Sequence, residues 1–205
     1  MRRAWKLLAL VVLVGCGRHQ EDFFLYHEDG TPKPKVVIVP VMDETEQDNG
    51  QQLAQDVCGA LVETLKQRER LYVLPTEGEP HRLNPDDFFG KDINFAKNYP
   101  NADFVVVLSL MEHGLVPYVK DPREGIGHTI AGQSQLKMQM RTRVIDVRGG
   151  RAPKIVLQEK RGVDHYVVQK RGRENQPSPK FLREAEEKLV NDLASRLEQE
   201  IASAR

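Results

Sequence analysis

Between Asp103 and Leu110 the chain reads Phe104-Val105-Val106-Val107-Leu108-Ser109-Leu110, and few architectures can accommodate that run. Its β-branched residues favour a strand, and both alternating sets are apolar, so such a strand needs cover on both faces. The run is therefore expected at the centre of the sheet.

The flanking segments supply the rest of that sheet. Val36-Val37-Ile38-Val39-Pro40-Val41 is a second β-branched run closed by proline, and it reads as the first strand. Asp48-Asn49-Gly50 brings turn and capping chemistry. Leu53, Val57, Leu61 and Leu65, with Ala54, Cys58 and Val62, then recur at helical spacing, which predicts a helix from about Gln51 to Arg70. Leu71 to Leu74 returns as a strand before Pro75. Residues 76–101 are rich in turn formers, with one short helix expected around Asp86 to Asn98.

Gly114 to Gly132 contains Pro117, Pro122, Gly125 and Gly127 without a sustained period, so it is expected as a long loop. Leu136, Met138, Met140 and Val144 alternate with Lys137, Gln139, Arg141 and Arg143, the pattern of a strand with one wet face. The phase slips at Ile145, where a bulge or the end of the strand is expected. Gly149-Gly150 turns the chain, and Ile155 to Val168 completes an antiparallel hairpin. Ser178 followed by Pro179 opens a last helix to about Ser203, whose stripe is Phe181, Ala185, Leu189, Leu193, Leu197 and Ile201. The fold class is therefore α/β (α+β): β-α-β-α-β, an antiparallel hairpin and a C-terminal helix, with the helices packed on a mixed sheet.

The amino terminus decides where this domain works. Arg2, Arg3 and Lys6 precede an apolar run from Leu7 to Val14, the layout of a secretory signal, and the run is too short to span a bilayer. Leu13-Val14-Gly15-Cys16 closes it and resembles the lipobox of bacterial lipoproteins. That resemblance implies cleavage between Gly15 and Cys16, lipidation of Cys16, and acylation with chains such as palmitate. Residues 1–15 would then be a signal peptide, 16–35 a lipidated flexible tether, and 36–205 a single globular domain. Each buried methylene of an acyl chain contributes about 0.8 kcal/mol to membrane affinity, so attachment needs no transmembrane helix. Gly17 rather than aspartate after the cysteine favours the outer membrane, with the domain facing the periplasm. Within the tether, Phe23, Phe24, Leu25 and Tyr26 are expected to dock on the domain.

Of 30 basic and 30 acidic residues, the signal removes three basic ones, leaving a mature net charge of about −3 and no general affinity for nucleic acid. With Cys16 lipidated, Cys58 is the one thiol left of two cysteines, and on its helical face it reads as inert. The six histidines show no metal-ligand spacing, so no metal or cofactor is expected. Glu112-His113 reads as a pair at a strand edge rather than an acid-base couple. Gly125-Ile126-Gly127 lacks the preceding strand of a dinucleotide motif. The basic run Lys170, Arg171 and Arg173 reads as solvated. The chain is expected not to be an enzyme.

Val36 to Pro40, Ala102-Asp103-Phe104-Val105, and Val144-Ile145-Asp146-Val147 with Gly149-Gly150 carry a further resemblance over roughly residues 35–203. In these stretches, and in element order, the domain resembles a group of envelope proteins. The group comprises the curli-secretion lipoprotein, the lipoprotein activators of penicillin-binding proteins, and the amino-terminal domain of the Tol-Pal translocation protein. Val41 stands where phenylalanine often follows the proline, and Asn101 where glycine often precedes Ala-Asp. The resemblance implies a non-enzymatic lipoprotein that binds an envelope protein in cell-wall synthase activation or export-machine assembly. The expected contact surface is the loop carrying Pro117, Tyr118, Lys120, Arg123 and His128, with the polar face of the hairpin. Pore-forming strands are not expected from that loop, because it is charged and broken by proline. A homo-oligomeric secretion subunit is the second reading, and a small-ligand binder or hydrolase the third.

Overall fold

A computed structural model of the chain describes residues 25–45, 50–75, 85–119, 129–168 and 179–204. Its elements are β1 (Lys35–Ile38), β2 (Met42–Asp43), α1 (Gly50–Arg68), β3 (Tyr72–Val73), α2 (Pro85–Phe89), β4 (Phe104–Val119), β5 (Thr129–Asp146), β6 (Lys154–Val168) and α3 (Pro179–Ser203). Short 3-10 turns at Asn94–Asn98 and Arg148–Gly150 join their neighbours. The sheet is mixed, in the order β3-β1-β4-β5-β6, with β2 also paired to β4. Strands β1 and β2 run parallel to β4, whereas β4-β5-β6 is an antiparallel meander.

The doubly apolar run lies at the centre, as its composition requires. Phe104, Val106, Leu108 and Leu110 belong to one core with α1 and α3, where Ala54, Val57, Leu61, Leu65, Leu189, Leu193 and Leu197 are buried. Val105 and Val107 belong to a second core on the opposite face, under Ala96, Phe88, Phe89 and Tyr99. Helix α1 ends where Glu69 takes a left-handed φ of 55°.

Several expectations shift. The first strand is interrupted: β1 ends at Ile38, Pro40 breaks the run, and β2 resumes at Met42. Proline has no N–H for the ladder, which accounts for the break. The helix expected over residues 86–98 is two pieces, because the chain turns at Gly90 and the Asp92 carboxylate accepts the Asn94 N–H at 2.9 Å to start a new turn. The bulge expected at Ile145 is present, as a register shift between Val144 and Ile145 against β6. Gly149 and Gly150 both adopt positive φ, 68° and 65°, at the hairpin end.

The largest correction concerns Gly114 to Gly132. Strand β4 continues through Pro117 to Val119, and β5 begins at Thr129, the two pairing out to Val119 opposite Thr129. Pro117 does not end the strand, although the register against β5 shifts between Pro117 and Val119. Beyond Leu110 no described strand follows β2 along β4, and a strand with an open edge tolerates proline.

Before β1, Leu25 to Pro34 form a turn in which His27 N–H reaches Thr31 O, Lys33 N–H reaches Leu25 O, and the Asp29 carboxylate accepts Thr31 N–H. Leu25 is half-buried, while Tyr26 stays 46 % exposed. No helix among the described residues is long and apolar enough to cross a membrane.

Candidate functional site

The antiparallel meander outgrows the rest of the sheet. Strand β2 pairs with β4 only as far as Leu110, but β4 and β5 stay paired for a further stretch, and β5 stays paired with β6 to Val168. This three-stranded arm has a row with Glu112, Gln139 and Gly162 and a next row with Gly114, Lys137 and Asp164. Both rows fall on the sheet face opposite Met138 and Leu136, because neighbouring residues of a strand alternate in direction. Met138 and Leu136 are buried in the core with α1 and α3. Glu112, Lys137 and Gln139 are half-exposed, and Gly162 and Lys160 are exposed. The arm therefore presents a polar face without a helix over it among the described elements.

A charged cluster fixes the base of this face. Ser109, fully buried, donates its hydroxyl to the Glu44 carboxylate, which also takes Arg141 Nη2 at 2.6 Å. The Arg141 guanidinium lies 3.9 Å over the Phe89 ring. Arg143 departs from the wet face expected for it and is 3 % exposed. It donates to the carbonyls of Phe88, Phe89 and Gly90 at 2.7–2.9 Å, and to Gln158 Oε1 at 2.7 and 3.0 Å. Those carbonyls end helix α2, where backbone acceptors otherwise lack donors, so the arginine is held by the dipole it caps. Burial, and then neighbouring Arg141, lowers the Arg143 pKa.

Glu112 and His113 do not lie at a strand end: both sit within β4, beyond a register shift at Leu110. His113 pairs opposite Met138, and burial pushes its pKa below the ordinary 6.5. Cys58 is half-buried on α1, and desolvation raises its thiol pKa, which keeps it protonated at neutral pH. No group of three or more His, Cys, Asp or Glu that could hold a metal ion occurs among the described residues.

Of the residues expected to bind a partner, Pro117 and Tyr118 lie in β4, with Pro117 opposite Ser134. Lys120, Arg123 and His128, like Cys16, lie outside the described residues. What sequence reasoning missed is that both ends of the segment expected as a loop continue a sheet. The alternation visible in β5 was the available signal, since a strand of 18 residues needs a neighbour equally long.

At the opposite end of β4, its first turn and the hairpin connection form an open cleft of about 530 Å³. There Arg148 holds Asp146 in a two-point ion pair, at 3.0 and 2.6 Å, and Nη2 also reaches Ala204 O at 2.6 Å. The hydrogen bonds from Arg148 keep the Asp146 carboxyl below the usual range.

Residues 22–205 match the model of DUF7499, a family of unknown function. No curated protein matches the chain. Among solved structures, the hypothetical protein CT253 from Chlamydia trachomatis is 17% identical, with a TM-score of 0.60 over 83% of this chain and 99% of that one. Lipoprotein GNA1162 from Neisseria meningitidis is 16% identical, with a TM-score of 0.45 over 79% and 99%. The PelC dodecamer from Paraburkholderia phytofirmans is 16% identical, with a TM-score of 0.37 over 77% and 86%. The likeness to CT253 is a likeness of fold.

Proposed function

The chain belongs to this family of unknown function, so its role has to be argued from its own residues, and we propose that it is a lipid-anchored, non-enzymatic adaptor of the bacterial cell envelope. In this reading Cys16 carries the acyl chains, the outer membrane holds them, and the domain faces the periplasm. The polar face of the arm binds another envelope protein, such as a cell-wall synthase or an export component.

The observation that carries the reading is the arm itself. An antiparallel sheet can pack one face on the core and leave the other open to water or to a partner. Here one face packs on the core through Leu136 and Met138, and the other displays Glu112, Lys137 and Gln139 in register. A mixture of charge and amide spread across neighbouring strands suits a protein surface better than a small molecule.

The test is site-specific photocrosslinking in intact cells. A crosslinking residue at Gln139 or Lys137 is expected to capture a discrete envelope protein, while one at the exposed Glu63 on α1 captures none. Equal capture at Glu63, or none on the arm, contradicts the adaptor reading.

A second reading is favoured by β6, whose outer edge meets no described strand from Lys154 to Val168. Such an edge is a template for pairing with a second copy of the chain. Native mass analysis distinguishes the two, since an oligomer of fixed size supports the secretion-subunit reading and a monomer supports the adaptor.

A further inference from the structure

We propose that the cleft at the hairpin end of the sheet rests on the anionic phospholipid headgroups of the membrane that carries the anchor. The inference rests on the lipidation of Cys16 proposed above. It follows from three features of the chain.

The first is charge. Lys35, Lys97, Arg148 and Arg151 line the cleft against one carboxylate, Asp103. The Asp103 carboxylate already accepts the Lys35 backbone N–H at 2.8 Å, and Arg148 is committed to Asp146 and Ala204 O. Lys35, Lys97 and Arg151 are exposed and form no ion pair among the described residues. A cationic surface on a domain of net negative charge is what an anionic lipid surface attracts, over a range of about 8 Å at physiological salt.

The second is where the chain enters the domain. Lys35 is both the first residue of β1 and part of the cleft wall. The preceding turn is tied back on itself by the Lys33 N–H to Leu25 O bond, at 2.8 Å. Only residues 17–24 separate that turn from Cys16, and a chain of this length reaches at most about 30 Å in any conformation. The anchor therefore delivers this end of the sheet, and not the arm, to the bilayer.

The third is shape. The cleft is open, and its wall adds the half-buried Tyr99 and its neighbours Pro100 and Ala102 to these cations. Tyrosine, apolar through its ring and polar at its tip, suits the headgroup region of a bilayer.

Hydrogen exchange on the acylated full-length mature protein tests this. The protein is reconstituted into vesicles of phosphatidylcholine alone or of phosphatidylcholine with phosphatidylglycerol, and flotation is scored in parallel. Amides of residues 96–103 and 148–153 are expected to exchange severalfold more slowly on the anionic vesicles only. Added salt, or Lys97→Glu combined with Arg151→Glu, is expected to abolish the protection while flotation persists. Both substituted side chains are exposed, and an unchanged melting curve verifies the fold. Flotation with equal exchange on both vesicles overturns the headgroup contact and leaves the anchor standing. Protection on phosphatidylcholine alone, or protection that survives the double substitution, overturns the cationic recognition. Failure to float on either vesicle overturns the anchor and this inference with it.

Discussion

Arg143 shows how one side chain can hold a segment that sequence patterning leaves ambiguous. Its guanidinium joins the three carbonyls at the end of α2 to Gln158 of β6, so a short helix is fastened to the sheet by charge-assisted hydrogen bonds. Replacing it by methionine keeps the bulk and leaves those acceptors without donors. Arg143→Met is expected to cost about 2–3 kcal/mol in urea unfolding, with Arg143→Lys losing less. His113 makes a pH-dependent contribution of opposite character. Because burial depresses its folded pKa, the unfolded state takes up the proton first as pH falls below 6.5. Stability is expected to be unaffected by this group above pH 6.5 and to decline from there down to the folded pKa. His113→Gln should flatten that part of the stability profile, which unfolding curves across the range will measure.

At the scale of elements, periodicity and β-branching located what is buried. The stripes of α1 and α3 and the doubly apolar β4 are legible because each residue's environment follows from its spacing. Leu193, 1 % exposed between α3 and the sheet, exemplifies this: Leu193→Ala is expected to lower stability by about 3 kcal/mol with an unchanged denaturant slope. Gln139→Ala on the arm should stay within about 0.5 kcal/mol. The outer half of β4 was not legible, for a physical reason. Gly114 and Pro117 are strand breakers in a central strand, but past Leu110 β4 has one paired edge among the described residues, and what a proline does there depends on a neighbour the local sequence does not specify. Arg143 was misassigned to the wet face for the same reason, since alternation gives the side of a sheet and not what covers it.

At the scale of the whole molecule, the sheet has two ends with different chemistry. Strand β4 spans about 50 Å by its rise per residue, from Phe104 beside the cationic cleft to Val119 at the tip of the arm. Chain entry at Lys35 lies at the first end, so the proposed anchor at Cys16 would leave the arm pointing away from the membrane. Every part of this account, the adaptor as much as the headgroup contact, depends on Cys16. The decisive measurement is therefore the intact mass and membrane fractionation of the wild type beside Cys16→Ala. The account predicts a wild-type chain that begins at Cys16, carries the added mass of acyl chains and sediments with membranes, and a Cys16→Ala chain that is unprocessed or soluble. Two chains of like processing and like distribution would contradict it.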